Sequence, residues 1–393
     1  MNEIEKGIID KVDRIADDLK GLAIAIHDNP EIGLKEYEAC RLHTEMLKRN
    51  GFDVTVGAAG FETAFIASHK SGKEGPVIVF LAEYDALPGL GHGCGHNLVG
   101  TVATGSGIAV TDIIDRFGGE VCVYGTPAEE SVGTKVDFIR AGLFDDCDVV
   151  MMAHPSYRDA DGMNTIAMTN MKVEFFGKAA HAAAVPDEGI NALDAMISLY
   201  NMINAYRQQT RPDVRIHGII TNGGDAPNII PAYTSAMFYI RANDTEHCRF
   251  VYDKVKDIVV AAALGTGCDY KITQTENFLD DTRTNYTLAG PITNRLESFG
   301  VEVKRTKGEH LSVSSDLGNV SRVRPSVQML FRIGVPDSGN VTEAHSKGFV
   351  RDSRSDFALD SMLTYIKSFA LATYDILTEP DILKKINDEF NGN

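Results

Sequence analysis

The seven residues Pro76-Val-Ile-Val-Phe-Leu-Ala82 constrain this chain more than any others. A short, unbroken apolar run is a strand covered on both faces, as in a parallel sheet under helices. Its surroundings agree. Upstream, Ile8, Val12, Ile15, Leu19 and Leu22 recur at three- and four-residue spacing and predict an amphipathic helix over 4–26. Asn29-Pro30 ends it, and a second helix is expected over 37–48 with Gly51 as its cap. Strands are expected at 52–56, 63–68, 77–82, 120–124 and 148–153, with helices at 98–117 and 134–141. That alternation predicts an α/β sandwich around a mostly parallel sheet.

Near residue 168 the texture changes. Strands at 168–176, 215–221 and 232–242 and helices at 191–208 and 246–264 form an α+β unit of their own. After about residue 282 a helix (288–299), a strand (327–331) and a helical stretch from Phe357 restore the first pattern. The simplest architecture is a three-layer α/β catalytic domain, 1–168 and 283–393, interrupted by a smaller α+β domain, 169–282. A length of 393 residues suits two domains. The net charge of −17 excludes nucleic acid and anionic membrane surfaces as main partners. No unbroken apolar run approaches the ~20 residues of a membrane span. Met1 to Lys6 lacks a signal-peptide pattern, so a cytoplasmic location is expected. Six cysteines in so long a chain do not form a disulfide framework, and five read as core residues.

Cys94 is the exception. It lies in Glu83-Tyr-Asp-Ala-Leu-Pro-Gly-Leu-Gly-His-Gly-Cys-Gly-His-Asn97, which begins where the buried strand ends. Binding groups gather at such carboxyl ends in open α/β sheets. Glycines between His92, Cys94 and His96 let alternate side chains converge, and thiolate and imidazole are preferred zinc ligands. Asp85 is placed to hold a ligand imidazole in one tautomer. Taken alone, the segment also reads as a tight turn around a structural cysteine. Glu129 and Glu130 follow the next strand, and two adjacent carboxylates repel unless a cation is near; an acidic helix start is the plainer reading. His154 ends a third apolar strand and His345 sits in a loop before the last helices. One sulfur, three imidazoles and a carboxylate exceed a closed four-ligand site and suit two ions sharing a ligand.

In order and spacing these motifs resemble the M20 metallopeptidases and amidohydrolases, in particular subfamily D. The resemblance covers Tyr84-Asp85-Ala-Leu-Pro88, Gly93-Cys94-Gly-His96, Pro127-Ala-Glu129-Glu130, His154 and His345. It also covers Gly177-Lys-Ala-Ala-His181-Ala, Gly223-Gly-Asp-Ala-Pro-Asn228-Ile-Ile-Pro231 and Ser314-Ser-Asp316-Leu-Gly-Asn-Val-Ser321. Other branches carry His-x-Asp at the first strand exit, where this chain has Glu83-Tyr84-Asp85, so that metal-ligand histidine is absent. Asn97 in place of the usual aspartate resembles the branch of the p-aminobenzoyl-glutamate hydrolases and the aminoacylase-1-like dipeptidases.

The resemblance implies a binuclear centre of two divalent ions per subunit on Cys94, His96, Glu130, His154 and His345, with Cys94 bridging. Sulfur favours zinc, and manganese, cobalt and nickel are the alternatives. It implies hydrolysis of the amide bond of N-acyl amino acids or dipeptides by a metal-activated water, with Glu129 as general base and Asp85 in support. The inserted domain is then a lid and dimerisation domain of a homodimer. His181 stabilises the oxyanion from its own or the partner subunit, and Asn228 and Arg241 hold a substrate carboxylate. Asp187, Glu188 and Asp225 offer charge to a basic substrate. Two other classes stay open from the residues alone: a cysteine hydrolase using Cys94 with His96, and a silent binding protein with the same fold.

Overall fold

The computed structural model describes residues 1–334 and 342–392. In chain order it contains α1 (Glu3–Arg14), α2 (Ala16–Asp28), α3 (Tyr37–Arg49), β1 (Asp53–Val56), β2 (Phe65–Lys70), β3 (Val77–Ala82), α4 (His96–Phe117), β4 (Glu120–Gly125), α5 (Lys135–Arg140) and β5 (Val149–Ser156). Then follow β6 (Ala167–Phe176), α6 (Ala192–Tyr206), β7 (Arg215–Asn222), β8 (Tyr233–Ala242), α7 (Thr245–Thr266) and β9 (Asp269–Thr273). The chain closes with α8 (Tyr286–Ser298), α9 (Leu317–Val320), β10 (Ser326–Arg332), α10 (Lys347–Asp352), α11 (Asp356–Thr378) and α12 (Pro380–Phe390). Two compact units result: Met1–Asn164, Thr282–Leu311 and Asn319–Asn393 in one, Thr165–Asp281 and Ser312–Gly318 in the other.

The larger unit is built on a six-stranded sheet of order β1-β2-β4-β3-β5-β10. β4, β3, β5 and β10 run parallel, while β1 and β2 add an antiparallel edge. Five of the six β3 residues are buried, as their unbroken apolar character requires. Phe80 on β3 meets Phe369 of α11 edge-on at 6.0 Å, one of the aromatic contacts joining sheet to helices. α4 has the length and hydropathy to cross a membrane, but it is buried against β3, β4 and β5 and against α2 and α11. It is the core helix. Because β3, β4 and β5 are parallel and in register, with Ala82 opposite Gly125, the loops leaving them emerge at one edge.

The smaller unit is an antiparallel sheet of order β7-β8-β6-β9, with α6 and α7 packed on it. Along β8, Ala236, Phe238, Ile240 and Ala242 are buried, and alternation turns Tyr239 and Arg241 to the other face. β7 is an edge strand, and Ile219 and Ile220 on it are 65% and 43% exposed.

Two expectations change. The single helix over 4–26 is two, broken at Ile15, whose φ of −104° and ψ of 8° leave the helical region while its amide still bonds back to Val12 and Asp13. The smaller unit also draws in Ser312–Gly318, assigned above to the outer domain: the Ile166 amide donates to the Val313 carbonyl at 2.9 Å and Arg241 to the Ser314 hydroxyl at 3.0 Å. Gly51 stands at φ 84°, one residue beyond the Asn50 cap of α3, where a left-handed residue turns the chain out of a helix.

Candidate metal centre

The strand-exit loop is anchored before it reaches the site. Tyr84 is buried, and its hydroxyl donates to the Thr63 carbonyl at 2.6 Å. Gly95 opens α4 at φ 75°, and a Cβ there would lie 2.8 Å from the Pro155 ring, so only glycine lets this turn close onto the end of β5. The closure brings Cys94 Sγ to 3.6 Å from His154 Nε2. His154 Nδ1 lies 2.8 Å from the Pro155 carbonyl and donates to it, which leaves Nε2 as the nitrogen that could ligate an ion.

Asp85 ties two loops together. Its Oδ1 lies 2.9 Å from His96 Nδ1, and its Oδ2 accepts from the Glu130 amide at 3.0 Å. His96 therefore turns Nε2 inward, buried and without a hydrogen bond among the described residues. The loop bearing Glu129 and Glu130 turns at Ala128, a non-glycine residue at φ 58°, whose amide donates to the buried Glu36 carboxylate at 2.8 Å. His345 also adopts a left-handed φ of 62°; its amide donates to the Gly93 carbonyl at 2.8 Å, and its Nε2 lies 3.3 Å from Glu130 Oε1.

The charges describe a cation site. Burial opposes charge on His96, yet Asp85 and Cys94 outweigh it and hold its pKa well above the usual range. A positive charge at Nε2 is what these neighbours favour. Burial keeps His154 neutral, the form that ligates. Burial and the Glu130 carboxylate push the Cys94 thiol up, so it deprotonates only beside a strong cation.

The ligand atoms fit metal ions. Those of Cys94, His96 and His154 lie within 4.8 Å of one another, and so do those of Cys94, Glu130 and His345. Cys94 belongs to both triplets. A third triplet joins His96, Glu129 and Glu130. Two nitrogen or oxygen ligands about 2.1 Å from a tetrahedral zinc stand about 3.4 Å apart, and a sulfur and a nitrogen about 3.6 Å. The observed 3.3 Å for Glu130–His345 and 3.6 Å for Cys94–His154 match those separations. His92, two residues before Cys94, turns instead to the Ile26 carbonyl at 3.1 Å and stacks on His27.

In the smaller unit His181 and Asn228 are neighbours and both exposed: the Ala182 amide donates to the Asn228 carbonyl at 3.0 Å. His181 Nδ1 accepts from the amides of Ala183 and Ala184 at 3.3 and 3.2 Å, so the neutral ring carries its proton on Nε2. Arg241 is half-buried near the far end of β8, about 26 Å of strand from Tyr233. The fold thus joins His181 to Asn228 and separates both from Arg241.

Sequence reasoning passed over Glu36, Glu83 and Lys135. Lys135 Nζ donates to Glu83 Oε1 at 2.6 Å, with both side chains buried. A lysine on a six-residue helix reads as solvated, and nothing local marks it otherwise. The one signal was Glu83 itself, standing where other branches place a ligand histidine.

A peptidase dimerisation domain profile matches residues 167–266, most of the smaller unit up to the end of α7. The chain is 36% identical to the mouse Xaa-Arg dipeptidase, over 98% of this chain and 92% of that protein. It is 29% identical to a p-aminobenzoyl-glutamate hydrolase polypeptide of Escherichia coli, over 99% and 95%. Among solved structures, a dinuclear metal-binding M20 peptidase of Bacillus subtilis superposes with a TM-score of 0.68 at 16% identity, covering 92% of this chain and 99% of that one. The chain belongs to the M20 family and is a metal-dependent hydrolase of peptide or amide bonds.

Proposed function

We propose that this enzyme is a dipeptidase and N-acyl amino acid hydrolase in which Cys94, His96, Glu130, His154 and His345 hold two divalent ions. The observation that carries the reading is Cys94, common to two ligand triplets beside Glu129. Divalent ions held there would supply polarisation of a carbonyl and a lowering of the pKa of water from about 15.7 towards about 7. Glu129 takes the proton of the attacking water at its carboxylate and returns it to the leaving amine. Asp85 keeps the His96 tautomer fixed throughout. His181 donates from Nε2 to the carbonyl oxygen as charge develops, a role supported by the two amides that occupy its Nδ1. Arg241 and Asn228 hold the carboxylate end of substrates.

One inserted domain cannot bring both ends of β8 to the same amide, so we propose that two copies share the task as a homodimer. The exposed apolar edge of β7 and the dimerisation-domain match support pairing there. The sulfur ligand supports zinc over manganese, cobalt or nickel. The proposal places the enzyme in the cytosol. Its substrates are dipeptides with a basic carboxy-terminal residue, supported by the relation to the Xaa-Arg dipeptidase and by the exposed Asp187, Glu188 and Asp225.

A mass-spectrometric screen of dipeptides and N-acyl amino acids against zinc-loaded protein tests this, with Glu129→Gln as control. Turnover of at least one substrate, absent in the control, is expected. Equal turnover by the control would remove Glu129 as base.

A further inference from the structure

Glu83 is fully buried one residue beyond β3, on the same strand exit as Asp85. Its Oε1 is held by the Lys135 ammonium at 2.6 Å. Its Oε2 makes no hydrogen bond among the described residues, and neither does His96 Nε2, 3.5 Å away. One imidazole nitrogen and one carboxylate oxygen, neither hydrogen-bonded, thus face each other at ion-pair distance across a buried gap, with Cys94 beside the ring. Leaving either buried without a hydrogen bond is costly, most of all for a charged group. The 3.5 Å separation matches the ligand spacing of about 3.4 Å around a tetrahedral ion, as it does for the two pairs described above. The carboxylates of Glu83 and Glu129 also come within 4.8 Å of each other.

Charge points the same way. Around the centre stand four carboxylates, Glu83, Asp85, Glu129 and Glu130, and the Cys94 sulfur, which is a thiolate once it ligates. Lys135 is one buried cation among them. Divalent cations offset this buried excess of negative charge, which a low-dielectric interior does not otherwise tolerate.

We propose that Glu83 is a further metal ligand, binding through Oε2 the ion held by His96, with Lys135 as the fixed counter-charge on its other oxygen. This rests on the metal centre proposed above. In this arrangement Glu83 takes the coordinating place of the histidine that this chain lacks at the same strand exit. Lys135 holds Oε1, so the carboxylate offers one oxygen to the ion.

The test counts metal. Wild-type protein and the charge-paired double variant Glu83→Gln/Lys135→Met are stripped, reloaded with zinc or cobalt, and measured by inductively coupled plasma mass spectrometry. The double variant removes both buried charges together, which avoids the unpaired ammonium of Glu83→Gln alone, and circular dichroism checks its fold. We expect two ions per wild-type chain and a folded double variant that has lost one, or binds it at least about 100-fold more weakly. In the cobalt-loaded protein, the visible absorption bands should change with the loss of an oxygen ligand. A folded double variant with two ions of unchanged affinity and an unchanged cobalt spectrum would overturn the assignment of Glu83 and leave the centre intact. A double variant that does not fold passes the question to Glu83→Asp, where the retracted carboxylate should weaken the same ion; unchanged affinity there overturns the assignment too. A wild-type chain that binds no ion would overturn the centre itself, and Glu83 with it.

Discussion

Asp85 and His181 each accept two hydrogen bonds, yet they belong to regions built in opposite ways. Asp85 is 1% exposed, and its partners are the His96 imidazole and the amide of Glu130 from another strand end. His181 is exposed, and its partners are amides two and three residues along its own turn. The first network joins distant parts of the chain in a low-dielectric interior, where each polar contact is strong and each loss is costly. The second fixes only a tautomer. A metal centre needs its ligands positioned before the ion arrives, whereas a group that meets substrate can be completed on binding. The contrast explains why the strand-exit loop is dense with interlocked side chains and the His181 loop is not.

Substitutions should separate the two regions by what they damage. Glu129→Gln should lower turnover by about 10³–10⁴-fold with metal content unchanged, since it removes only the proton acceptor. Retained activity in metal-replete protein would sink the assignment. On the other side of the comparison, His181→Ala should reduce kcat by about 10²–10³-fold, again with full metal occupancy. Loss of metal in that variant would mean that the two regions are not independent.

Glu36 tests the buried network through pH. Burial, helped by the Asp85 charge, raises its pKa from 4.5 to about 7, so the folded chain holds this proton more tightly than the unfolded one. The stability it contributes is complete below about pH 4.5 and is lost as pH rises through about 7, an effect of up to about 3 kcal/mol. Thermal melts of Glu36→Gln, which can still accept from the Ala128 amide, should fall less than wild type between about pH 5 and pH 8. Parallel pH profiles for the two proteins would contradict this. Smallest in expected effect, Asp85→Asn should weaken metal binding about 10–100-fold by loosening the His96 tautomer, read by chelator competition.

Much of this was legible in the sequence because parallel strands buried on both faces have no polar positions to confuse their limits. β3 begins and ends where its apolar run does, and the groups that follow β3 and β4 meet His154, which lies in the last residues of β5 where the expected strand had already ended, because parallel strands share a carboxyl edge. The Gly95 turn was readable because glycines between His92, Cys94 and His96 mark a tight fold of the backbone, which Gly95 makes at φ 75°. Lys135 and Glu36 were not readable. Each looks like an ordinary solvated charge near a helix start, and only partners 52 and 92 residues away, Glu83 and the Ala128 amide, take them inside. Arg241 was placed with Asn228 by the resemblance, and within one copy the length of β8 stands between Tyr233 and Arg241.

The central claim is that catalysis runs through the Cys94-centred metal site, not through the Cys94 thiol acting with His96 as base. Turnover of the best dipeptide should be followed by mass spectrometry before chelation, after chelation and after zinc or manganese is returned. The account predicts that chelation abolishes hydrolysis and that metal restores it. Hydrolysis that survives in protein verified to be metal-free would contradict it.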